Sequence, residues 1–190
     1  DLFKKNGFVF SIDCCRNPVS STGFNENPST RLENQINNLK INRIVTACPN
    51  CYHHLKNKYK VEIISVYKWL EEYNYIKDIE KPYNVFFPCS DRYNREIFNV
   101  IKRHAPNWND KFKNTNCCGA GGLAVKKEKD IADAMTASIQ NEEIYSYCAT
   151  CSMRFSKYNK VHHFASAFLG IDEDVKTDYL KNALKAKFFK

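Results

Sequence analysis

The 190-residue chain has no run of 18 or more apolar residues, so nothing in it reads as a membrane-spanning helix. Its first residues, Asp1 to Gly7, are too polar and charged for the apolar part of a signal peptide, and the expectation is a soluble, unexported, cytoplasmic chain. There is no initiator Met, and the opening Leu2, Phe3 and Phe8 read as the tail of a helix followed by a strand, as in a fragment. No GxGxxG, P-loop or Ser/His/Asp ordering occurs, so no recognised motif binds a nucleotide or flavin. Glycine and proline are scarce, at six each, which leaves little room for long linkers. Long blocks of one charge are also missing. The 29 Lys and Arg against 21 Asp and Glu give a net charge of +8, spread along the chain as a solvated surface. No nucleic-acid motif and no basic stripe interleaved with aromatics accompanies that charge, so a nucleic-acid partner is not expected.

Cysteine, by contrast, is abundant. Nine cysteines, an odd number in a chain without export signals, read as metal ligands or redox groups rather than as a disulfide framework.

Those cysteines lie on a repeat. The segment Ile44-Val-Thr-Ala-Cys48-Pro-Asn-Cys51-Tyr-His-His-Leu55 has a counterpart in Ile144-Tyr-Ser-Tyr-Cys148-Ala-Thr-Cys151-Ser-Met-Arg-Phe155, and Val61 and Val161 each follow the second cysteine by ten residues. An adjacent pair precedes each CxxC, Cys14-Cys15 by 32 residues and Cys117-Cys118 by 29. A further cysteine, Cys89, stands 27 residues before the second pair, and the first copy has no equivalent. The expected organisation is therefore a first, N-terminally incomplete repeat over residues 1–80 and a second over 81–190.

Short apolar, often β-branched runs predict strands at Phe8–Ile12, Arg43–Thr46, Val61–Ser65, Asn84–Phe87, Ile144–Tyr147 and Val161–Phe164. Helical spacing or good helix formers predict helices at Ser29–Leu39, Tyr52–Lys58, Val66–Glu72, Asn94–His104 and Gly122–Asn141. The fold class expected is α/β: two pseudo-repeated small parallel-sheet halves with cysteines at strand ends and loops. Ligand sites of open α/β sheets lie outside the carboxyl ends of the strands, and Cys48, Cys89 and Cys148 each follow a predicted strand.

A CxxC turn aims two thiolates at one centre while distant loops bring the others. Four cysteines suit zinc or an iron–sulfur cluster alike, but the five of the second half, Cys89, Cys117, Cys118, Cys148 and Cys151, exceed a closed tetrahedral zinc site. In Cys117-Cys118-Gly119-Ala-Gly121-Gly122 the glycines permit close backbone approach, and a helix beginning near Gly122 would aim amides at an anionic cluster.

The double pattern, "CC" then "TACPNCYHHLK", and "PC" then "CCGAGG" then "CATC", resembles the cysteine-rich CCG-domain proteins. These include the CCG-bearing subunits of heterodisulfide reductase and of anaerobic glycerol-3-phosphate dehydrogenase, and the iron–sulfur subunits of lactate and glycolate oxidases. The resemblance implies two five-cysteine motifs, each holding a [4Fe-4S] cluster, non-cubane in the heterodisulfide reductase branch, with a disulfide cleaved between them. It assigns Cys89, Cys117, Cys118, Cys148 and Cys151 to one complete motif, and Cys14, Cys15, Cys48 and Cys51 to four fifths of the other. It also allows zinc in one half. Three departures stand out: the opening cysteine of the first motif is absent, Arg16 replaces the Gly after the pair, and Phe87 replaces a His before the Pro-Cys.

Among other residues, His53 and His54 read as surface or capping groups, and Trp69 and Trp108 as core or interface. His162 and His163 fall on a strand, and His163 occupies a place where the family often has a His that could donate to a cluster sulfur or substrate. Arg92 matches a family Arg that could hold an anion; the plainer reading is a surface ion pair.

The function expected is an iron–sulfur redox subunit of an anaerobic-type oxidoreductase complex. It would pass electrons from a flavoprotein or ferredoxin-like subunit to a disulfide or quinone, and would meet a membrane only through a partner. The alternatives are a zinc-stabilised structural or nucleic-acid-binding module and a thiol-disulfide oxidoreductase using CxxC directly.

Overall fold

The computed structural model describes residues 2–11, 15, 17, 30–121 and 124–171, and then 174, 175, 178, 181, 182, 184, 185 and 188. The first half contains helix α1 (Leu2–Lys5), helix α2 (Thr30–Asn38), strand β1 (Arg43–Thr46), helix α3 (Pro49–Leu55), strand β2 (Glu62–Ser65) and helix α4 (Val66–Glu72). The second contains β3 (Tyr83–Phe86), α5 (Glu96–His104), β4 (Trp108–Asn109), α6 (Ala124–Lys127), α7 (Lys129–Ala137), β5 (Glu143–Ser146), α8 (Ala149–Phe155), β6 (Lys160–His163) and α9 (Phe164–Phe168). Among the described residues these build a two-stranded sheet β1-β2 and a four-stranded sheet ordered β4-β3-β5-β6, every pair parallel. The expected α/β architecture of two parallel-sheet halves is therefore observed.

Strand alternation explains the packing of the larger sheet, because successive side chains point to opposite faces. Tyr83, Val85, Phe87, Tyr145 and Tyr147 enter one core, whereas Phe86, Ile144 and Val161 enter the other. The first core crosses between halves: Val66, Tyr67, Trp69 and Leu70 of α4 pack with Ile97, Phe98 and Ile101 of α5 over the second half's sheet. The second core is smaller and takes in Cys118, Cys148 and Cys151 beside Phe86, Phe112 and Phe155.

The two copies run in one register only as far as the CxxC helix. Strand β1 is matched by β5 at an offset of 100 residues, but β1 pairs Ile44 with Ile63 whereas β5 pairs Ile144 with Val161. The turn between CxxC helix and next strand is two residues shorter in the second copy, so Val161 corresponds to Ile63, not Val61, and His163 to Ser65.

Several expectations differ from the structure, among them the helix predicted over Tyr52–Lys58, which runs from Pro49 to Leu55 and so includes Cys51. Residues 8–11 of the predicted strand Phe8–Ile12 carry no strand, and Val9 and Phe10 are exposed; Ile12 lies outside the described residues. The single helix predicted over Gly122–Asn141 is two, broken at Glu128 (φ −130°, ψ 58°). That break re-aims α7 so that Ala132 and Thr136 face the cysteine-pair loop. Gly122 lies outside the described residues, and the first described helical residue after it is Ala124. Strand β6 stops at His163 and Phe164 opens α9, because Phe164 and Phe168, one turn apart, both enter the first core. Strand β4 is too short, at two residues, to carry an alternation that could be read beforehand.

Candidate metal centre

Each CxxC is a strand-to-helix junction. Cys48 and Cys148 are the N-cap residues of α3 and α8, both extended (φ −110° and −120°), and Pro49 opens α3 with the fixed φ that suits a first helical position. Three residues on, Cys51 and Cys151 lie in the first helical turn, on the same side as the caps.

Six sulfurs from the two halves neighbour one another in a row, in the order Cys15, Cys51, Cys48, Cys148, Cys151, Cys118, each shifting the ionisation of the next. Cys151 donates to Cys118 at 3.3 Å. The first cysteines of the two CxxC turns, Cys48 and Cys148, meet at its middle. Bonds from Cys148 and Cys51 hold the Cys48 thiol far below its ordinary value; a bond from Cys51 brings Cys15 to about 7, and one from Cys151 brings Cys118 to about 7. Their partners move the other way: donating to Cys15 and Cys48 pushes Cys51 up, and donating to Cys118 and Cys148 pushes Cys151 up. Cys148 is lowered by its bond from Cys151, but its bond to Cys48 and its burial carry it up to about 12. Thiolate-forming sulfurs are the ones that take metal.

Cys89 and Cys117 flank this row. Cys89 is exposed at the rim; partial desolvation and the neighbouring Cys117 and Cys118 sulfurs push its thiol up. The Gly119 amide donates to Cys117 Sγ at 3.3 Å. The structure thus brings together eight of the nine predicted cysteines, and Cys14 lies outside the described residues. The sulfurs form a row instead of closing on a point: among the described residues no three Cys, His, Asp or Glu side chains have the geometry of a single-ion site.

The cysteine-pair loop of the second half is held by side chains that sequence reasoning missed. The buried Arg154 guanidinium donates to the carbonyls of Ala132 (2.7 Å) and Cys118 (3.4 Å) and to the Asp133 carboxylate (3.0 Å), while Thr136 Oγ1 donates to the Cys118 carbonyl at 2.9 Å. Gly119, in the left-handed region at φ +80°, lets the loop touch α7; a Cβ there would sit 2.1 Å from the Ala132 oxygen. The first half has His54 where the second has Arg154, and Arg16 where the second has Gly119, so it lacks the residues for this clamp.

Asp91, fully buried, joins the two halves. It accepts from the Ile97 (3.2 Å) and Phe98 (3.1 Å) amides, from the Tyr147 hydroxyl (2.9 Å), and meets His53 Nε2 at 2.9 Å. His53 is therefore a contact between halves, in contrast to the surface role expected of it, whereas His54 pairs with Lys58 at the surface. Arg92 makes neither expected contact: it donates to the Phe87 and Thr115 carbonyls, both at 2.8 Å, and so ties the Cys89 loop to the Cys117 loop. Trp69 is buried in the first core as expected, and Trp108 packs half-buried on Phe87 and Phe98. His162 stacks on Tyr145 and bonds Glu143 at 2.7 Å, lining a 460 Å³ cleft with Lys81 and Lys160.

Among the described residues, buried side-chain atoms without a hydrogen-bond partner include Ser90 Oγ, next in sequence to Cys89, Ser152 Oγ, next to Cys151, Arg92 Nε, Tyr67 Oη and His163 Nε2. Unpaired donors and low-lying thiols together suit an anionic, sulfur-rich group. The residues present fit an iron–sulfur cluster.

No helix among the described residues is long and apolar enough to cross a membrane. No curated protein and no solved structure matches the chain. The family model of the cysteine-rich CCG domain matches residues 2–56 and 83–156, more than half of the chain and both CxxC helices. On that match, and with both cysteine sets gathered into one row of sulfurs, the chain belongs to the cysteine-rich CCG-domain family.

Proposed function

We propose that this chain is an iron–sulfur-binding redox subunit of an oxidoreductase complex resembling heterodisulfide reductase, receiving electrons from a flavoprotein or ferredoxin-like partner and delivering them to a disulfide or quinone. The observation that carries the reading is the six-sulfur row joining both halves, with Cys48 and Cys148 in contact at its centre. Cys89, Cys117, Cys118, Cys148 and Cys151 would hold one cluster, and Cys14, Cys15, Cys48 and Cys51 the other. A bound cluster supplies one-electron chemistry at a potential set by its ligands and surroundings.

The chain's own residues do the rest. Arg154 and Thr136 fix the Cys118 carbonyl, and with it the direction of the adjoining sulfurs. The Gly119 amide donates to Cys117 Sγ, a bond that stabilises added negative charge on that sulfur. Asp91 holds Tyr147, and so the strand end carrying Cys148, against α3 through His53. Burial of Cys118, Cys148 and Cys151 in the second core keeps water from the centre, while Cys89 at the rim leaves a route for an incoming sulfur or electron donor.

The test is iron, zinc and acid-labile sulfide per chain, with the visible spectrum, on protein purified without oxygen. Iron and sulfide of about four or more each per chain are expected for at least one [4Fe-4S] cluster. Stoichiometric zinc with no iron or sulfide would overturn the redox reading in favour of a structural site.

A further inference from the structure

A buried donor without an acceptor destabilises the fold, and such groups are rare in folded proteins. Two of those atoms come from opposite halves, and both interact electrostatically with the Cys48 sulfur. Tyr67, the second residue of α4, is almost fully buried and lies within electrostatic reach of both Cys148 and Cys48. Its ring stands edge-on to Tyr147 and Phe168, each at 6.2 Å, which fixes its direction. The Ala165 amide faces its oxygen, so the hydroxyl's own proton is left for an acceptor. His163 closes β6 with its Nε2 sealed from solvent and unpaired, also within reach of Cys48.

The pseudo-repeat shows what His163 has given up. Its counterpart Ser65 caps α4, accepting the Lys68 amide at 3.2 Å. His163, at the same place before α9, makes no side-chain cap. A capping serine stabilises the helix it opens. The second copy forgoes that cap and also leaves a ring nitrogen unpaired, two costs with no return inside the fold itself.

We propose that the Tyr67 hydroxyl and His163 Nε2 are a convergent donor pair, one from each half, hydrogen-bonding the ligand sulfurs at the Cys48–Cys148 junction once the site is loaded, and so raising the potential of the centre they serve. The proposal rests on the iron–sulfur reading above. Both are positioning residues: they act through the sulfurs and ligate nothing. A donor to a ligand sulfur withdraws negative charge from the cluster, which favours the reduced state.

The experiment uses the full chain, purified without oxygen, as wild type, Tyr67→Phe, His163→Leu and His163→Gln. Iron and sulfide are measured first, then midpoint potentials by redox titration, then the shift of the iron–sulfur stretching bands on exchange into deuterated water. Tyr67→Phe and His163→Leu are expected to keep wild-type iron and sulfide, to titrate at more negative potential, and to lose part of the deuterium shift. His163→Gln, which retains a donor, is expected to return toward wild type. Loaded variants with unmoved potentials and an unchanged deuterium shift would overturn the donor pair while leaving the iron–sulfur reading intact. Loss of iron in Tyr67→Phe, which removes a single oxygen, would overturn it too by showing a structural role. Wild-type protein without iron or sulfide would instead remove the reading on which it rests.

Discussion

Tyr147 donates its hydroxyl to Asp91 at 2.9 Å, which fastens the residue before Cys148 to the residue two beyond Cys89. Both side chains are sealed from solvent, and the same carboxylate takes two amides and His53. Removing the carboxylate strands all four partners at once. Asp91→Ala should therefore lower unfolding free energy by roughly 3–5 kcal/mol, and Tyr147→Phe by about 1.5–3 kcal/mol. Urea unfolding followed by far-UV circular dichroism measures both, and equal losses for the two would count against Asp91 as a hub.

Gly119→Ala is a test of the cysteine-pair loop. The added methyl meets the Ala132 oxygen at 2.1 Å and asks alanine to hold φ +80°, so loop or helix must move. We expect a loss of about 2–4 kcal/mol and a reduced metal content. Gly121→Ala, with nothing within 4 Å of its would-be Cβ, should be nearly silent.

Asp133 makes stability depend on acid. Its bonds to Lys129 and then to Arg154 hold its carboxyl down at about 2 from an ordinary 3.8, so the folded state binds the proton less readily than the unfolded one. The contribution is complete above pH 4 and is lost as pH falls toward 2. Asp133→Asn should lower stability above pH 4 by a small amount, because Lys129 and Asp133 are solvent-screened, and should match wild type near pH 2, flattening that part of the profile.

Leu70 has no exposed surface and sits in the core common to α4 and the four-stranded sheet. Leu70→Ala should cost about 2–5 kcal/mol. It should also move the unfolding of both halves together, so that near-UV dichroism and amide exchange in β5 report the same midpoint. Separate midpoints would show that the halves unfold independently.

Much of this arrangement was legible beforehand, since period and composition carry strand and helix type. Arg43–Thr46 and Val66–Glu72 stand where they were expected, because each is a compact apolar run with clear edges. The CC and CxxC spacing likewise pointed to the sulfurs that now form one row. Asp91, Arg154 and Tyr67 were not legible, because each draws its importance from partners distant in the chain that no local pattern marks, such as Tyr147 for Asp91, Ala132 for Arg154 and Cys148 for Tyr67. The register slip at Val161 escaped notice for a similar reason: a two-residue shortening leaves hydrophobicity unchanged and shows only when strands are paired.

The core shared by α4 and the second sheet also limits how this polypeptide could be divided. Cutting between residues 73 and 82 would leave the piece carrying Cys89 to Cys151 with a bare aromatic trough where Tyr67, Trp69 and Leu70 had been, and the other piece with those three in water. Two such pieces expressed from separate messages would have to find each other before either could stay dissolved, and only as a pair would they offer Cys48 to Cys148. Fusion into one chain makes that meeting an intramolecular event.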